Sequence, residues 1–262
     1  MKECKVLGVA TVAASMMLLT SCLGDGNNTT QGSTYGVIDE MAPTYQKVVY
    51  VNDVQPCYAS TIANAPDLMN GDCIYFAFTA DYDDPVNQGQ NKYLTIQVPA
   101  QGYRKVTKGN VVPYWTAEDT AVIRPKELTF SAVGGYQKWT IIKDQLIMIM
   151  SHPKASTDQM NNYEIGFNLD QAPTEVGEKR VYELFIRSTQ MKEGEKAVGA
   201  TDFDAVYDMG YFLDRTKGIE KSEGNKLINF RFNYIKEFDK DTVNATWDKT
   251  DIFTVEIPED AE

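Results

Sequence analysis

Apolar and polar residues alternate with a period of two along much of the chain after residue 34. The segments 162–169 (NYEIGFNL) and 227–234 (LINFRFNY) each place an aliphatic or aromatic residue at every second position, with mostly polar residues or glycine between them. Successive side chains of a strand point to opposite faces of a sheet, so this pattern predicts strands with one face on a core and the other in water. Such strands are typical of sandwiches and barrels.

Other segments are apolar almost without interruption. They are short, and clusters of Gly, Pro, Asn and Asp separate them, which favours strands buried on both faces. These segments are residues 47–51 (KVVYV), 73–79 (CIYFAFT), 93–98 (YLTIQV), 145–150 (QLIMIM), 181–187 (VYELFIR) and 206–213 (VYDMGYFL). A helix-period stripe of useful length is not visible in the sequence, which therefore predicts an all-β fold.

A change of pattern in the middle of the chain predicts two domains. The stretch 103–125 is irregular and contains Pro113, Tyr114 and Trp115 in a segment that we interpret as a loop. Strands return after it in a longer antiparallel series. We therefore predict a small barrel over residues 34–130, followed by an antiparallel β-sandwich over residues 131–258.

The N-terminus has the features of an export signal. Lys2 and Lys5 precede an uncharged apolar run at residues 6–19, which is shorter than the ~20 residues of a membrane-spanning helix. The run ends in Leu-Thr-Ser-Cys22, which resembles the lipobox of bacterial lipoproteins. We therefore predict a lipoprotein signal peptide at residues 1–21, a lipid on Cys22 and a flexible polar tether at residues 22–33. An ordinary signal peptide with a chance cysteine is the alternative.

The charge balance excludes one class of partner. The chain carries a formal charge of −12, from 25 basic and 37 acidic residues. Such a surface repels phosphate groups, and the sequence has no basic stripe, so nucleic acid is not expected to bind. The same charge argues against docking onto anionic lipids, which leaves the acyl chains on Cys22 as the predicted membrane anchor.

Two further cysteines belong to the predicted mature chain, because Cys4 lies in the signal peptide. Cys57 and Cys73 could form a disulfide in an exported protein. Cys73 also begins an apolar run, which favours two buried thiols instead. Both alternatives stay open on the sequence alone. Neither cysteine has a histidine or a CxxC partner nearby, which argues against a catalytic role.

We predict no catalytic site, no metal site and no cofactor. His152 is the single histidine, and the sequence lacks a Gly-x-Ser-x-Gly elbow, so we interpret His152 as structural. Asp81, Asp83 and Asp84 offer oxygen ligands to Ca²⁺. The glycine and the glutamate of an EF-hand loop are missing, however, and a solvated hairpin loop is favoured.

Two further sets of residues each have a functional interpretation and an alternative that involves no function. Aromatic residues at irregular segments form either a sugar-stacking platform or the packing at the sandwich ends, which we favour. They are Tyr114, Trp115, Tyr136 and Trp139. Thr120 and Thr242 each follow an aspartate and precede an aliphatic residue, a triplet that resembles O-glycosylation sites of Bacteroidetes. Both threonines are therefore predicted as possible O-glycosylation sites, although triplets this short also occur by chance.

The order of the segments resembles that of a known family. After the polar segment come NGDCIYFAF and NKYLTIQV, then VTKGNVV, KWTIIKDQLIMIMSHP and the series NYEIGFNL, YELFIRS and INFRFNY. This order resembles the NigD-like lipoproteins of Bacteroidetes, and the resemblance implies an OB-like N-terminal barrel followed by a β-sandwich. It implies no catalytic residues. Residues 51–54 (VNDV) stand where the family has an Asp-Asp-Gly turn.

These observations together predict a non-enzymatic, lipid-anchored protein of the outer membrane that acts as a binding or interaction module. Two alternatives remain open, a carbohydrate-binding surface lipoprotein and a pilus or adhesin subunit. The specific protein or glycan partner, and the side of the outer membrane, cannot be read from the sequence.

Overall fold

The computed structural model describes residues 28–89, 92–240 and 244–258, without the side chains of residues 137–140. The chain forms two compact units, the first ending at Lys105 and the second beginning at Val106. Each unit has its own hydrophobic core. Both are built mainly from strands, which confirms the predicted all-β fold.

The described elements of the first unit are β1 (Thr29–Met41), β2 (Gln46–Tyr50), β3 (Pro56–Tyr58), helix α1 (Ser60–Ala63), β4 (Cys73–Asp81), a 3₁₀ turn (Pro85–Asn87), β5 (Leu94–Thr95) and β6 (Tyr103–Lys105). The strands form a six-stranded sheet with the order β5-β3-β2-β1-β4-β6. Neighbouring strands are antiparallel except β3 and β5.

The first unit has its own hydrophobic core, which the strands of its sheet help to form. Ile38, Val49, Ile74 and Phe76 lie at its centre and are fully or almost fully buried. A single bridge between Thr79 and Gln97 pairs β4 with the segment after β5. The sheet is otherwise open, as expected of a small, partly open OB-like barrel.

Strand β1 begins five residues earlier than the sequence indicated. Residues 29–33 were predicted to belong to the tether, but they pair with β4 from Thr29–Asp81 to Ser33–Ala77. Their side chains are exposed or half-buried in alternation. Backbone hydrogen bonds, rather than burial of apolar side chains, therefore hold this part of the strand. A hydrophobic pattern does not detect such a segment.

Cys57 and Cys73 are two buried thiols and do not form a disulfide. Cys57 lies on β3 and Cys73 begins β4, and β2 and β1 lie between these strands. Neighbouring strands are about 4.8 Å apart, so two strands with two others between them are much farther apart than a single spacing. A disulfide needs Cα atoms within about 7 Å, which this separation exceeds. Burial raises the pKa of the Cys57 thiol to about 12, which keeps it protonated and unreactive.

The described elements of the second unit are β7 (Thr107–Lys108), β8 (Asn110–Pro113), α2 (Ala117–Ala121), β9 (Glu127–Leu128), β10 (Ala132–Ile142), β11 (Gln145–Ser156), β12 (Met160–Phe167), β13 (Thr174–Val176), β14 (Lys179–Lys192), β15 (Ala197–Asp208), α3 (Gly210–Ser222), β16 (Leu227–Phe238), β17 (Ala245–Lys249) and β18 (Phe253–Glu256). These strands form two sheets. One has the strand order β10-β11-β15-β7, and the other has β17-β16-β14-β12-β8, with β13 and β9 paired to β14 and β18 paired to β16.

The core of the second unit comes from alternate residues of its strands, as the period-two pattern predicted. Ile165 and Phe167 of β12, Leu184 of β14 and Phe232 of β16 are buried in it together with side chains of β11 and β15. These strands place their intervening residues on the opposite, outer face of the larger sheet.

Helix α3 was not predicted. The segment 206–213 was interpreted as one strand, but β15 ends at Asp208 and the helix begins at Gly210. The buried residues of α3 are Phe212, Leu213, Thr216 and Glu220. Two of these four are polar, so the buried face has no continuous apolar stripe. Helix α3 supplies part of the connection that lets β16 run parallel to β14.

The boundary between the units lies before the predicted one at residues 130–131. Strands β7, β8 and β9 pair with β15, β12 and β14 respectively, all in the second unit. The irregular stretch 106–130 therefore belongs to the second unit, because its short strands complete the sheets there. In the part of the chain that the structure describes, no helix combines the length and the apolar character needed to cross a membrane.

Candidate functional site

An open groove with a volume of about 180 Å³ lies on the second unit. We call it the aromatic groove. It is lined by Trp115, Thr116, Ala117, Thr120, Asn168, Gln171 and Phe185. Phe185 lies between Leu184 and Ile186, which point into the core, so its ring is on the outer face of the larger sheet. The groove is thus formed where the segment after β8 and the segment after β12 cover this face.

Trp115 is fixed in position by the strand beneath it. Its backbone N–H donates to the carbonyl of Phe167 at 2.8 Å, and its ring stacks parallel to Phe185, with centroids 6.4 Å apart. The indole lies directly on Gly166, where a Cβ atom would be only 1.7 Å from the nearest ring atom. Glycine is therefore required at position 166 for the ring to occupy this place.

The short helix α2 forms another wall of the groove. Thr116 caps it by accepting from the N–H of Asp119, while the Asp119 carboxylate accepts from both the N–H and the hydroxyl of Thr116. These two hydrogen bonds lower the pKa of Asp119, and the bond from the Thr116 hydroxyl has the larger effect. The hydroxyl of Thr120 donates to the Ala117 carbonyl at 2.8 Å. The capping box fixes the position of Thr116, and the bond to Ala117 fixes that of Thr120, so both threonines that line the groove are held in place.

A buried ion pair attaches this wall to the sheet. Arg187 of β14 and Glu127 of β9 have side chains that are 1% and 0% exposed, and they form two hydrogen bonds with each other. Arg187 also donates to the carbonyls of Asp119 and Val122, which lie within and just after α2. The guanidinium thus satisfies backbone acceptors at the C-terminal end of α2 and ties this helix to the sheet.

Arg124 covers the other side of Trp115. Its guanidinium lies 5.2 Å from the ring centre and donates to Glu164 at 2.6 Å. Its backbone N–H donates to Glu127 at 2.8 Å. Arg124 therefore links the indole, the outer face of β12 and the buried ion pair in one network.

The chemistry of the groove is that of a binding surface for an uncharged polar molecule. Its lining combines the amides of Asn168 and Gln171, the hydroxyls of Thr116 and Thr120, and two aromatic rings. None of the lining residues is ionisable. Trp115 is 3% exposed, and its indole N–H has no hydrogen-bond partner among the described residues. An unpaired buried donor costs free energy, which an acceptor brought close by a rearrangement or a ligand would offset.

The aromatic surface continues beyond the groove. Trp247 of β17 contacts Phe185 edge-on, with ring centroids 5.6 Å apart. Glu183 lies two residues before Phe185 on β14, and its carboxylate accepts two hydrogen bonds from Arg231 and one from Asn233. Burial would raise the pKa of Glu183, but these hydrogen bonds and the charges of Arg231 and Lys249 outweigh it and hold the pKa below its usual value. Glu183 is therefore ionised and accepts hydrogen bonds at both of its oxygens.

The structure brings together only some of the aromatic residues that the sequence singled out. Trp115 lines the groove, and the exposed Tyr114 precedes it. Tyr136 lies on β10, in the smaller sheet, and the side chain of Trp139 lies outside the described residues. Sequence reasoning missed Phe185, because the pattern of residues 181–187 indicated an ordinary buried strand. It also missed Trp247, which lies in no motif that the sequence analysis singled out.

The predicted modification sites have different outcomes. Thr120 is half-buried and lines the groove, so a glycan on its hydroxyl would occupy that space. O-glycosylation of Thr120 stays a prediction. Cys22 and Thr242 lie outside the described residues, and lipidation of Cys22 and O-glycosylation of Thr242 stay predictions as well.

His152 lies in the core of the second unit and is fully buried. Its Nδ1 is 2.7 Å from the Thr129 carbonyl, which can only accept, so Nδ1 carries the proton. Nε2 then accepts from the Tyr163 hydroxyl at 3.2 Å, and that hydroxyl accepts from the Asn161 amide at 3.0 Å. Burial lowers the pKa of His152. Both ring nitrogens are used within the core, which supports the structural interpretation.

The acidic cluster in the first unit is a hairpin loop. Asp81, Asp83 and Asp84 each accept a backbone N–H, from Asp83, Asn28 and Val86 respectively. Over the described ranges, no three His, Cys, Asp or Glu side chains are grouped as metal ligands would be.

Comparison with known proteins finds a family model that matches part of the chain. Residues 26–102 match the family model described as a lipoprotein OB domain. Over these residues, the chain resembles the OB domain of bacterial lipoproteins. Most of the first unit falls within the match, so the OB-like fold and the resemblance to this class of lipoprotein are confirmed. No curated protein matches the chain.

Solved structures of Bacteroidetes proteins are similar over both units. The crystal structure of an uncharacterized protein from Parabacteroides merdae is 25% identical, with a TM-score of 0.75, and the match covers 87% of this chain and 100% of that one. A candidate lipoprotein from Bacteroides fragilis shares the fold at 9% identity and a TM-score of 0.55, over 88% and 100% of the two chains. A NigD-like immunity protein from Bacteroides caccae matches at 10% identity and a TM-score of 0.45, over 83% and 91%.

We predict that Arg187→Met lowers the free energy of unfolding by about 3–5 kcal/mol, because it leaves the Glu127 carboxylate buried without its partner. Urea denaturation followed by tryptophan fluorescence measures the change. The double variant Arg187→Met/Glu127→Leu removes both charges and should recover part of the loss. Lys236→Met, which breaks the exposed ion pair with Asp248, is the control and should change stability little. A loss in Arg187→Met no larger than in this control would contradict the anchoring role.

We also predict that His152 makes the protein less stable in mild acid. The pKa of His152 in the folded state lies below its ordinary value near 6.5. As the pH falls through about 6.5, the unfolded state therefore binds a proton before the folded state does, and stability falls until the folded-state pKa is reached. The free energy of unfolding, measured between pH 7.5 and 5.0, should fall more steeply in the natural protein than in His152→Gln. Parallel curves for the two proteins would rule this out.

Proposed function

We propose that the protein is a lipid-anchored, non-enzymatic binding module of the bacterial envelope, and that it binds a neutral carbohydrate in the aromatic groove. The observation that carries the proposal is the lining of the groove, in which aromatic rings stand beside amides and hydroxyls with no ionisable side chain. A sugar ring presents C–H groups on its faces and hydroxyls at its edge, and both meet a matching group here.

The ring of Phe185 gives the groove an apolar surface. Phe185 is half-buried, and the indole of Trp115, which is 3% exposed, packs parallel beside it and fixes its position. The faces of aromatic rings carry partial negative charge and attract the positive edge of C–H bonds. A flat apolar surface of this kind suits a sugar ring better than an extended peptide, whose backbone needs a sheet edge or a longer groove.

The polar groups at the groove can pair with hydroxyls. The amides of Asn168 and Gln171 each provide donors and an acceptor, and the hydroxyls of Thr116 and Thr120 can accept from a ligand. The volume of about 180 Å³ is smaller than the ≈ 300–1,000 Å³ of pockets that enclose drug-sized molecules. The size therefore favours one sugar ring, with the rest of the chain in solvent.

The charge of the protein favours a neutral ligand over an acidic one. The formal net charge is −12, so long-range repulsion would slow the approach of polyanions such as sulfated glycans or nucleic acid. Neutral saccharides do not encounter this barrier. The absence of ionisable groups from the groove lining points in the same direction.

The membrane anchor in this proposal is the lipid on Cys22. The similarity of residues 26–102 to a lipoprotein OB domain supports it, as does the lipobox-like sequence that ends at Cys22. The membrane we propose is the outer membrane. Because residues 29–33 belong to β1, a tether would have to be formed by the residues between Cys22 and Thr29.

We expect Cys22→Ser to move the protein from the membrane fraction to the soluble fraction of the envelope, because the acyl chains are lost. Fractionation with labelled palmitate measures both the location and the lipid. Cys4→Ser is the matched control and should leave labelling intact. Trypsin treatment of intact cells then separates a surface location, in which the body is digested, from a periplasmic one. Membrane retention of an unlabelled Cys22→Ser protein would contradict the lipid anchor.

We expect the purified full-length lipoprotein to bind at least one member of a panel of neutral saccharides built from glucose, galactose, mannose and N-acetylglucosamine. The protein is kept in a detergent without a sugar headgroup, and binding is measured by calorimetry. Phe185→Ala and the double variant Asn168→Ala/Gln171→Ala should each weaken binding at least tenfold, which corresponds to roughly 1.4 kcal/mol.

Phe78→Ala is the matched control for the groove variants, because Phe78 is, like Phe185, a half-buried phenylalanine, and it lies on β4 in the other unit. It should retain the affinity of the natural protein. The carbohydrate proposal fails if no saccharide in the panel binds, or if the groove variants bind as tightly as the Phe78→Ala control.

A further inference from the structure

Phe185 and Trp247 interrupt a mostly polar surface on the outer face of the larger sheet. The positions around them on β14 and β16 include Glu183, Arg231 and Asn233, whose side chains hydrogen-bond to one another. Phe185 and Trp247 are both partly exposed. Two aromatic side chains in contact on such a face are not needed to fill the core, which lies on the other face, and adjoining exposed apolar groups mark places where another molecule binds.

Trp247 lies on the same face of the sheet as Phe185. Residues two apart on a strand share a face, so Trp247 shares one with Lys249 on β17, and Phe185 shares one with Glu183 on β14. The ammonium group of Lys249 is 3.5 Å from the Glu183 carboxylate, which places both pairs on one face. The rings of Trp247 and Phe185 also meet directly, with centroids 5.6 Å apart.

A row of paired residues leads from the aromatic groove to β17. Gly166 of β12 pairs with Phe185 of β14, Phe185 pairs with Asn233 of β16, and Asn233 pairs with Lys249 of β17. Paired residues lie side by side on neighbouring strands, which are about 4.8 Å apart. Phe185 lines the groove and belongs to this row. The surface that begins in the groove therefore continues across β16 to β17.

We propose that Trp247 forms a second subsite, so that the ligand of the aromatic groove is an oligosaccharide whose chain crosses the outer face of the sheet from Phe185 towards β17. This inference rests on the proposed function, because it extends the same site. One sugar unit lies in the groove against Phe185, and the next unit lies against the indole of Trp247. Binding of the second unit becomes intramolecular once the first is bound, which raises the affinity for the linked pair.

Lys249 and Glu183 supply polar groups to the second subsite. The Lys249 side chain is 48% exposed, and its ammonium group carries three donors, so it can donate to a ligand hydroxyl while it faces the Glu183 carboxylate. The opposite charges of the two groups offset each other. The second subsite therefore suits a neutral sugar, as the groove does.

Affinity measured against chain length tests the second subsite. The probes are linear oligosaccharides of one to six units, taken from the neutral series that binds in the panel. The protein is the full-length lipoprotein in the same detergent, and binding is measured by calorimetry. We expect the trisaccharide to bind the natural protein about tenfold more tightly than the monosaccharide, because it contacts both subsites. Units that extend beyond the two rings should add little.

Trp247→Ala should bring the ratio of trisaccharide to monosaccharide affinity close to one, while the monosaccharide affinity stays near that of the natural protein. A variant that is merely misfolded would lose binding of both probes. Trp247→Tyr keeps an aromatic ring and should restore most of the length dependence. Tyr58→Ala is the matched control, because Tyr58 is partly exposed, contacts the ring of Tyr93 with centroids 5.3 Å apart and lies in the other unit. It should retain the length dependence.

The outcomes separate this inference from the proposal on which it rests. Length-dependent binding that Trp247→Ala removes and Trp247→Tyr restores supports the second subsite. Binding that depends on Phe185 but not on chain length overturns the second subsite and leaves the groove proposal standing. The second subsite is also overturned if Trp247→Ala keeps the length dependence, or if it weakens monosaccharide and trisaccharide by the same factor, because Trp247 then only supports Phe185. If no saccharide binds at all, the groove proposal fails, and the second subsite fails with it.

Discussion

The buried pair of Arg187 and Glu127 is the interaction on which the candidate site depends. Two ionised side chains are removed from water at this point, which costs free energy that their mutual hydrogen bonds alone seldom repay. Arg187 gains further by donating to the carbonyls of Asp119 and Val122. An apolar side chain of the same size could fill the space but could not hold those carbonyls. The charge therefore fixes the place of α2, and α2 forms a wall of the groove.

Alternation along β14 explains why the anchor and the groove are neighbours. Leu184 and Ile186 point into the core, so Phe185 and Arg187 lie side by side on the outer face of the sheet. Phe185 contributes an aromatic surface to the groove, and Arg187 holds the segment that covers it. Gly166, on the neighbouring strand β12, leaves room for the indole of Trp115. The geometry of these two neighbouring strands thus brings together the aromatic surface of Phe185, the anchor of α2 at Arg187 and the space for the indole at Gly166.

Period-two alternation was sufficient to predict the all-β fold and the strands β12 and β16, because burial of one face decides their register. It could not predict residues 29–33 of β1, which are held by backbone pairing, nor α3, whose buried face includes Thr216 and Glu220. The groove was not predicted: of its lining residues the sequence singled out Thr120, as a possible O-glycosylation site, and Trp115, as one of four aromatic residues for which packing was favoured. Phe185, the partner of Trp115, is remote in sequence, and nothing in the pattern of β14 tells which outer residue another segment will cover. Gly166 was the available signal, since glycine within a strand marks a close approach.

Gly166 and Tyr114 differ in how far packing explains the residue at each position. Gly166 is required by the fold, because any side chain there would collide with Trp115. At position 114 the fold would accept glycine, yet the chain has a tyrosine in a strained, mostly exposed conformation. Tyr45 of the first unit combines the same features, a φ of +53° and 72% exposure, so strain at an exposed tyrosine does not by itself mark a binding site. The indole N–H of Trp115, buried and without a partner among the described residues, is the stronger indication at this groove, because an acceptor from a ligand would offset its cost.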